Sequence, residues 1–248
     1  MSEVRIDVEN VSFSYEKRMD ILKDITFHAS GQQSIGLIGA NGVGKSTLLK
    51  LLVGLQLPTS GEIRISDTPI EKKTLPQIRK QIGYVFQDSD SQLFLSTAYE
   101  DIAFAPRNYG LPEAEVEKRV QQALEQIGCT YLRDKKIYKM SGGEKKLVSI
   151  ATILSMTPDI ILMDEPSTAL DPRNRRQLIH ILNASQHLKI IASHDLDLIL
   201  ETCNRVILLS QGEIICDAPA REILTNQRLL EENGLELPFC LQKPSFYA

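Results

Sequence analysis

The first legible chemistry lies in one short stretch, Gly39-Ala40-Asn41-Gly42-Val43-Gly44-Lys45-Ser46-Thr47, between an apolar run and a helical pattern. A glycine-rich turn from strand into helix aims successive backbone N–H groups at one anion, and the helix N-terminus adds a partial positive charge. Gly39, Gly42 and Gly44 have no side chain to obstruct close approach. Lys45 can reach the β- and γ-phosphates of a nucleotide, and the Ser46 hydroxyl suits Mg²⁺. The chemistry implied is the holding of a nucleotide polyphosphate.

A second group could act on such a ligand. Asp164 and Glu165 end the apolar run Ile160-Ile161-Leu162-Met163 and precede Pro166. A carboxylate at the C-terminal edge of a parallel sheet faces the crevice where ligands bind. There Asp164 is placed to hold the Mg²⁺ shell and Glu165 to orient or deprotonate an attacking water. His194 follows the run Ile190-Ile191-Ala192-Ser193. Taken alone, such a histidine is more often structural than catalytic.

These groups need strands and helices to position them, and the pattern supplies both. Arg5 to Tyr15, Gln33 to Ile38, Glu62 to Ile65, Ile82 to Phe86, Ile160 to Met163, Ile190 to Ser193, Val206 to Leu209 and Glu213 to Cys216 read as strands. Lys45 to Leu52 reads as a helix closed by Gly54 in a left-handed cap. Val116, Val120, Ala123, Leu124 and Ile127 follow helical spacing, with Pro112 in the first turn and Gly128 as the stop. Ser141 caps a helix whose inner face carries Leu147, Ile150, Ala151 and Leu154, and another helix starts at Asp171-Pro172. The expectation is an α/β protein with a mostly parallel sheet and an all-helical insert between Gln87 and Ser141. From Pro219 the tail reads as two short helices and an irregular end.

Bulk properties set limits. The 248 residues, 42% hydrophobic and 24% charged, suffice for a large α/β unit with a full core. A net charge of −4 argues against nucleic acid as the main partner. The four cysteines, Cys129, Cys203, Cys216 and Cys240, show no C-x-x-C pairing and read as reduced thiols. Met1 to Arg5 lacks an apolar signal core, and runs such as Ile160 to Met163 are too short to cross a bilayer.

Met140-Ser141-Gly142-Gly143-Glu144, followed by Asp164-Glu165-Pro166 and Ser167-Thr168-Ala169-Leu170-Asp171, joins the glycine-rich loop in a pattern that resembles the nucleotide-binding subunit of an ABC transporter. The resemblance runs from Val4 to about Cys216. It implies a P-loop NTPase fold of ABC type, with a mostly parallel core, an antiparallel β subdomain and an all-helical subdomain. It also implies an ATPase domain over 1–218, with the helical insert at about 88–140, and a short helical extension over 219–248.

The resemblance assigns roles residue by residue. ATP would be bound by Tyr15, stacking on adenine, and by Gly39 through Thr47. Glu165, His194 and Gln87 would be catalytic, His194 as the switch histidine at the γ-phosphate and Gln87 as the glutamine-loop residue. Mg²⁺ would be held by Ser46, Gln87 and Asp164. Ser141, Gly142, Gly143 and Glu144 would cap the nucleotide of an opposing subunit, and Asp171 would close the D-loop. Met140 and Glu144 stand where the commonest form of this signature has Leu and Gln, so catalysis is expected and its rate is left open.

A second ATPase subunit, either another copy of this chain or a paralogue, follows from a site shared in trans. So does an integral membrane subunit contacting about 87–108, where Leu93, Phe94, Leu95 and Phe104 are apolar in a polar stretch. The runs Val85 to Phe94, Glu100 to Asn108, Met140 to Lys146 and Leu230 to Pro238 look like ATPases of energy-coupling-factor importers, which carry vitamins or cobalt and nickel ions. Phe104-Ala105-Pro106 departs from that branch's usual Phe-Gly-Pro. The implied place is the cytoplasmic face of a membrane, held peripherally. The alternatives are an ATPase of another ABC transporter class, or a soluble ABC ATPase acting on DNA or ribosomes, whose coiled coil or tandem domains this chain lacks.

Overall fold

The computed structural model describes residues 4–15 and 20–242. The outermost ends of the expected ATPase domain and of the C-terminal extension, residues 1–3 and 243–248, lie outside the described residues. The chain forms two compact units, one of residues up to Ile78 and from Leu188 onward, the other of Arg79 to His187.

The first unit holds two layers of strand. β1 (Arg5–Phe13) pairs antiparallel with β2 (Leu22–Ser30) and with β4 (Ser60–Ile65), and β5 (Thr68–Pro69) adds to β4. β3 (Ser34–Ile38) pairs in parallel with β8 (Leu188–Ala192) and β9 (Arg205–Ser210), and β10 (Glu213–Pro219) runs antiparallel to β9. Every residue of β3 and β8 is buried, as expected of parallel strands covered on both faces. A Cβ on Gly36 would stand 2.4 Å from Ile199 Cγ2, so glycine lets α7 (Leu196–Thr202) rest on the backbone of β3. α1 (Lys45–Leu52) runs on from the glycine loop and ends before Gly54, whose φ of 66° is the left-handed stop. α8 (Ala220–Leu224) and α9 (Gln227–Glu232) follow β10.

In the second unit β6 (Ile82–Val85) and β7 (Ile160–Asp164) pair in parallel, Val85 opposite Met163. Between residues 88 and 140 the backbone is helical: α3 (Ala98–Asn108), α4 (Glu113–Gln126) and short 3₁₀ turns, with one isolated bridge between Thr97 and Lys136. α5 (Gly142–Leu154) lies directly on β6, because a Cβ on Gly83 would meet Ile153 Cγ2 at 2.1 Å. α6 (Pro172–Ala184) completes the unit. The chain passes from the first unit to the second within α2 (Leu75–Gln81).

Several expectations shift. β1 stops at Phe13 rather than Tyr15, β6 at Val85, and β8 begins two residues earlier and ends one residue earlier than expected. Pro112 is the N-cap of α4 and not a first-turn residue. α3 runs through Pro106, which has no N–H for the Ile102 carbonyl. The hydroxyl of buried Ser155 reaches that carbonyl at 2.8 Å, which lets the helix continue.

Candidate ATP-binding and hydrolysis site

In the first unit β3 delivers the glycine loop. Gly39, Gly42 and Gly44 have φ of 150°, 81° and 108°, a region that side-chain-bearing residues rarely enter. A Cβ on Gly39 would sit 2.3 Å from Leu209 O, whereas one on Gly42 would meet nothing within 4 Å. Gly42 thus faces open space, as a cradle for an anion requires. α1 begins with no side-chain cap and no acid in its own first turn, which leaves the positive end of its dipole at the loop. The buried Lys45 ammonium donates to Gly39 O at 2.7 Å and Ala40 O at 3.1 Å, folding its side chain back along the loop. Tyr15 is 51% exposed, stands edge-on to Phe13 at 4.9 Å and shares a 3.3 Å hydroxyl contact with Thr47. His194 follows β8 and is exposed. Leu37 pairs with Ala192, so the glycine loop and His194 leave one edge of the sheet side by side.

The second unit repeats this logic with β6 and β7. Gln87, exposed, and Asp164, buried, emerge from the same strand edge. The Tyr84 hydroxyl donates to Asp164 Oδ2 at 3.3 Å and fixes the carboxylate. Glu165 is buried with φ 47°, a left-handed conformation that costs energy for a residue with a side chain and clusters at functional sites.

Ser141 is the N-cap of α5. Its hydroxyl accepts from Glu144 N at 3.3 Å, and Glu144 Oε2 accepts from Ser141 N at 2.8 Å, a reciprocal capping box. Lys135 Nζ binds both Glu144 oxygens at 2.7 and 2.8 Å, so the glutamate that replaces the family's usual glutamine has its charge balanced. That lysine, then the Ser141 N–H, holds the Glu144 carboxyl below the usual glutamate range. Ser141 and Gly142 are exposed, and a Cβ on Gly143 would press on Ala169 O at 3.1 Å. Asp171 caps α6 through a 2.8 Å bond from Asn174 N.

The structure divides the expected docking residues. Leu93 is only 6% exposed and belongs to the core, which corrects its assignment to a partner groove. Phe94 is 63% exposed and stands edge-on to the exposed Phe104 at 4.9 Å, while Leu95 is half-buried. The buried Asp101 carboxylate accepts from Phe94 N and Leu95 N at 3.2 Å, fixing the backbone that presents Phe94 outward.

Sequence reasoning missed Lys146, which is 2% exposed and donates to Phe86 O at 2.9 Å and Gln87 O at 2.7 Å. A signal was there: Lys146 precedes Ile150 and Ile153 by four and seven residues, on the apolar stripe of α5.

A strand-to-helix glycine loop over an uncapped helix, with buried acids at a parallel strand edge, defines a P-loop nucleotide-hydrolysing protein. The family model for ABC transporters matches residues 22–168, and the chain belongs to that family. It is 48% identical over 242 residues to an ABC transporter ATP-binding protein of Geobacter sulfurreducens, covering 98% of this chain and 97% of that one. It is 38% identical to the energy-coupling factor transporter ATP-binding protein EcfA of Carboxydothermus hydrogenoformans, covering 96% and 88%. The structure of cbiO1 from Clostridium perfringens, part of the ABC transporter complex cbiONQ, superposes with a TM-score of 0.82 at 33% identity, covering 93% and 94%. The chain is therefore an ATP-binding, ATP-hydrolysing ABC transporter subunit. Among the described residues no helix is long and apolar enough to cross a membrane.

Proposed function

We propose that this subunit energises a membrane importer of the energy-coupling-factor type, taking up vitamins or cobalt and nickel ions, from the cytoplasmic face. The likeness to EcfA and to cbiO1 supports the branch. The observation that carries the coupling is the exposed Phe94–Phe104 pair, an apolar knuckle on a backbone pinned by Asp101, suited to a helix of a membrane subunit docking along about 87–108.

In this reading Gly39 to Thr47 hold the ATP phosphates, with Lys45 turning from the loop carbonyls to the β- and γ-oxygens, and Tyr15 stacks on adenine. The donors present fit Mg²⁺: the Ser46 hydroxyl and the Asp164 carboxylate are hard oxygens, joined by Gln87. When bound, Mg²⁺ supplies charge neutralisation on the phosphates. Glu165 orients and deprotonates the water, and His194 contacts the γ-phosphate. Ser141 to Glu144 and Asp171 serve the nucleotide of a second subunit.

Two measurements test the proposal. Glu165→Gln should bind ATP normally and turn over roughly a hundredfold slower or more, the range of a positioned general base; undiminished activity would remove Glu165 from the mechanism. Affinity purification from native membranes should recover the membrane subunits of an importer. Recovery of exporter transmembrane domains instead would overturn the branch assignment.

A further inference from the structure

We infer that Lys146, seconded by Gln92, is a positioning residue that fastens the glutamine-loop backbone to the signature helix, so that Gln87 and Ser141 move as one body. The inference rests on the catalytic role proposed for Gln87. Lys146 lies five residues after Ser141 in the sequence, about 7.5 Å along the helix axis at 1.5 Å per residue. Its ammonium takes two consecutive carbonyls, Phe86 O and Gln87 O, at 2.9 and 2.7 Å. Gln92 holds the other side of the same peptide stretch: its Oε1 accepts from Phe86 N at 3.1 Å. Its Nε2 donates to Ser149 O and Thr152 Oγ1 of α5, both at 2.8 Å. A third tie joins Lys145 Nζ to Asp90 Oδ1 at 2.5 Å.

Packing does not account for this lysine. Burial pushes its ammonium below the usual lysine range, with the charges of Asp164, Asp88 and Glu165 opposing that shift. An apolar side chain would fill the volume without that desolvation cost. What a leucine could not do is hold the carbonyl of Gln87 itself. The membrane-facing loop and the residue offered to the opposing nucleotide are thereby joined through side chains of one helix. A displacement of either is transmitted to the other as a rigid shift.

The test is a double-mutant cycle on the full chain, reading kcat and, separately, ATP affinity with a fluorescent ATP analogue. Lys146→Met keeps the stem and removes both hydrogen bonds to the carbonyls. Its kcat should fall about tenfold or more while ATP affinity stays within about twofold, because hydrogen bonds to a charged donor are lost outside the nucleotide-binding loop. If Lys146 acts through Gln87, the Lys146→Met/Gln87→Ala double variant should be no slower than the slower single variant. Additive losses, or a full kcat in Lys146→Met, would overturn the inference and leave the role of Gln87 standing. A Gln87→Ala variant with full kcat would sink the proposed role of Gln87 and this inference with it. Should Lys146→Met fail to fold, Gln92→Ala enters the same cycle with the same expected non-additivity.

Discussion

Glu144 shows how one residue reconciles a departure from the family's signature with an intact helix start. A carboxylate at the third helical position closes the capping box, and Lys135 balances the charge that glutamine would lack. Glu144→Ala should cost on the order of 1 kcal/mol of stability, the size of a lost cap, as read by denaturant unfolding. Glu144→Gln keeps the hydrogen bond and loses only the ion pair, so its cost should be smaller and should depend on pH. The folded carboxyl titrates below its unfolded value, so its contribution is present above about pH 4.3, the ordinary glutamate value. The contribution is lost as pH falls through the lower folded value. Unfolding curves of wild type and Glu144→Gln should therefore differ at pH 7 and converge on acidification. A gap that persists unchanged at acid pH would show that the charge is not what Lys135 reads. The Ser141 cap and the glycine loop were legible in the sequence because caps and phosphate loops are local in the chain. The apolar stripe of α5 signalled that Lys146 is buried, but its bonds to Phe86 and Gln87 and the Tyr84–Asp164 contact were not legible, because each depends on a partner 59 or more residues away.

At the scale of elements, the segment from β6 through α3 combines a core residue, a presented apolar knuckle and a proline-bearing helix. Leu93→Glu should unfold the protein, since it buries an unpaired charge, whereas Phe94→Glu should leave thermal stability nearly unchanged and abolish co-purification with the membrane subunit. Unfolding of the Phe94 variant would make that ring part of the core and remove the docking assignment. Ser155→Ala should cost about 1–3 kcal/mol, because the buried Ile102 carbonyl opposite Pro106 loses its donor. A neutral result in denaturant unfolding would mean that α3 bends enough to satisfy the carbonyl elsewhere. Elements with strong punctuation were readable in advance: β3 and α1 flank glycines, α4 is stopped by Gly128, and β7 is an unbroken apolar run. β2 escaped because its alternation is short and interrupted by Asp24 in a left-handed conformation. α3 fell within the expected helical insert, but its bounds were not legible, because proline argues against a continuous helix and Ser155, which rescues it, lies 53 residues away.

The signature is offered to solvent: Ser141 and Gly142 are exposed at the start of α5, although the role proposed for them lies at a γ-phosphate. A second subunit satisfies both conditions, and two copies about a two-fold axis do so with one self-complementary surface. Sedimentation of Glu165→Gln should then show a dimer with ATP and Mg²⁺ that ADP does not support. The identity of the second subunit follows from mixing two inactive variants, Lys45→Ala and Ser141→Arg. In a head-to-tail pair of identical chains each variant alone spoils both sites. A mixed pair concentrates both defects in one site and leaves the other intact. Random pairing makes about half the dimers mixed, each with one working site of two, so about a quarter of wild-type ATPase activity should return on mixing. No recovery, with both variants folded and still binding nucleotide or dimerising as designed, would exclude the homodimer and assign the second place to a paralogue.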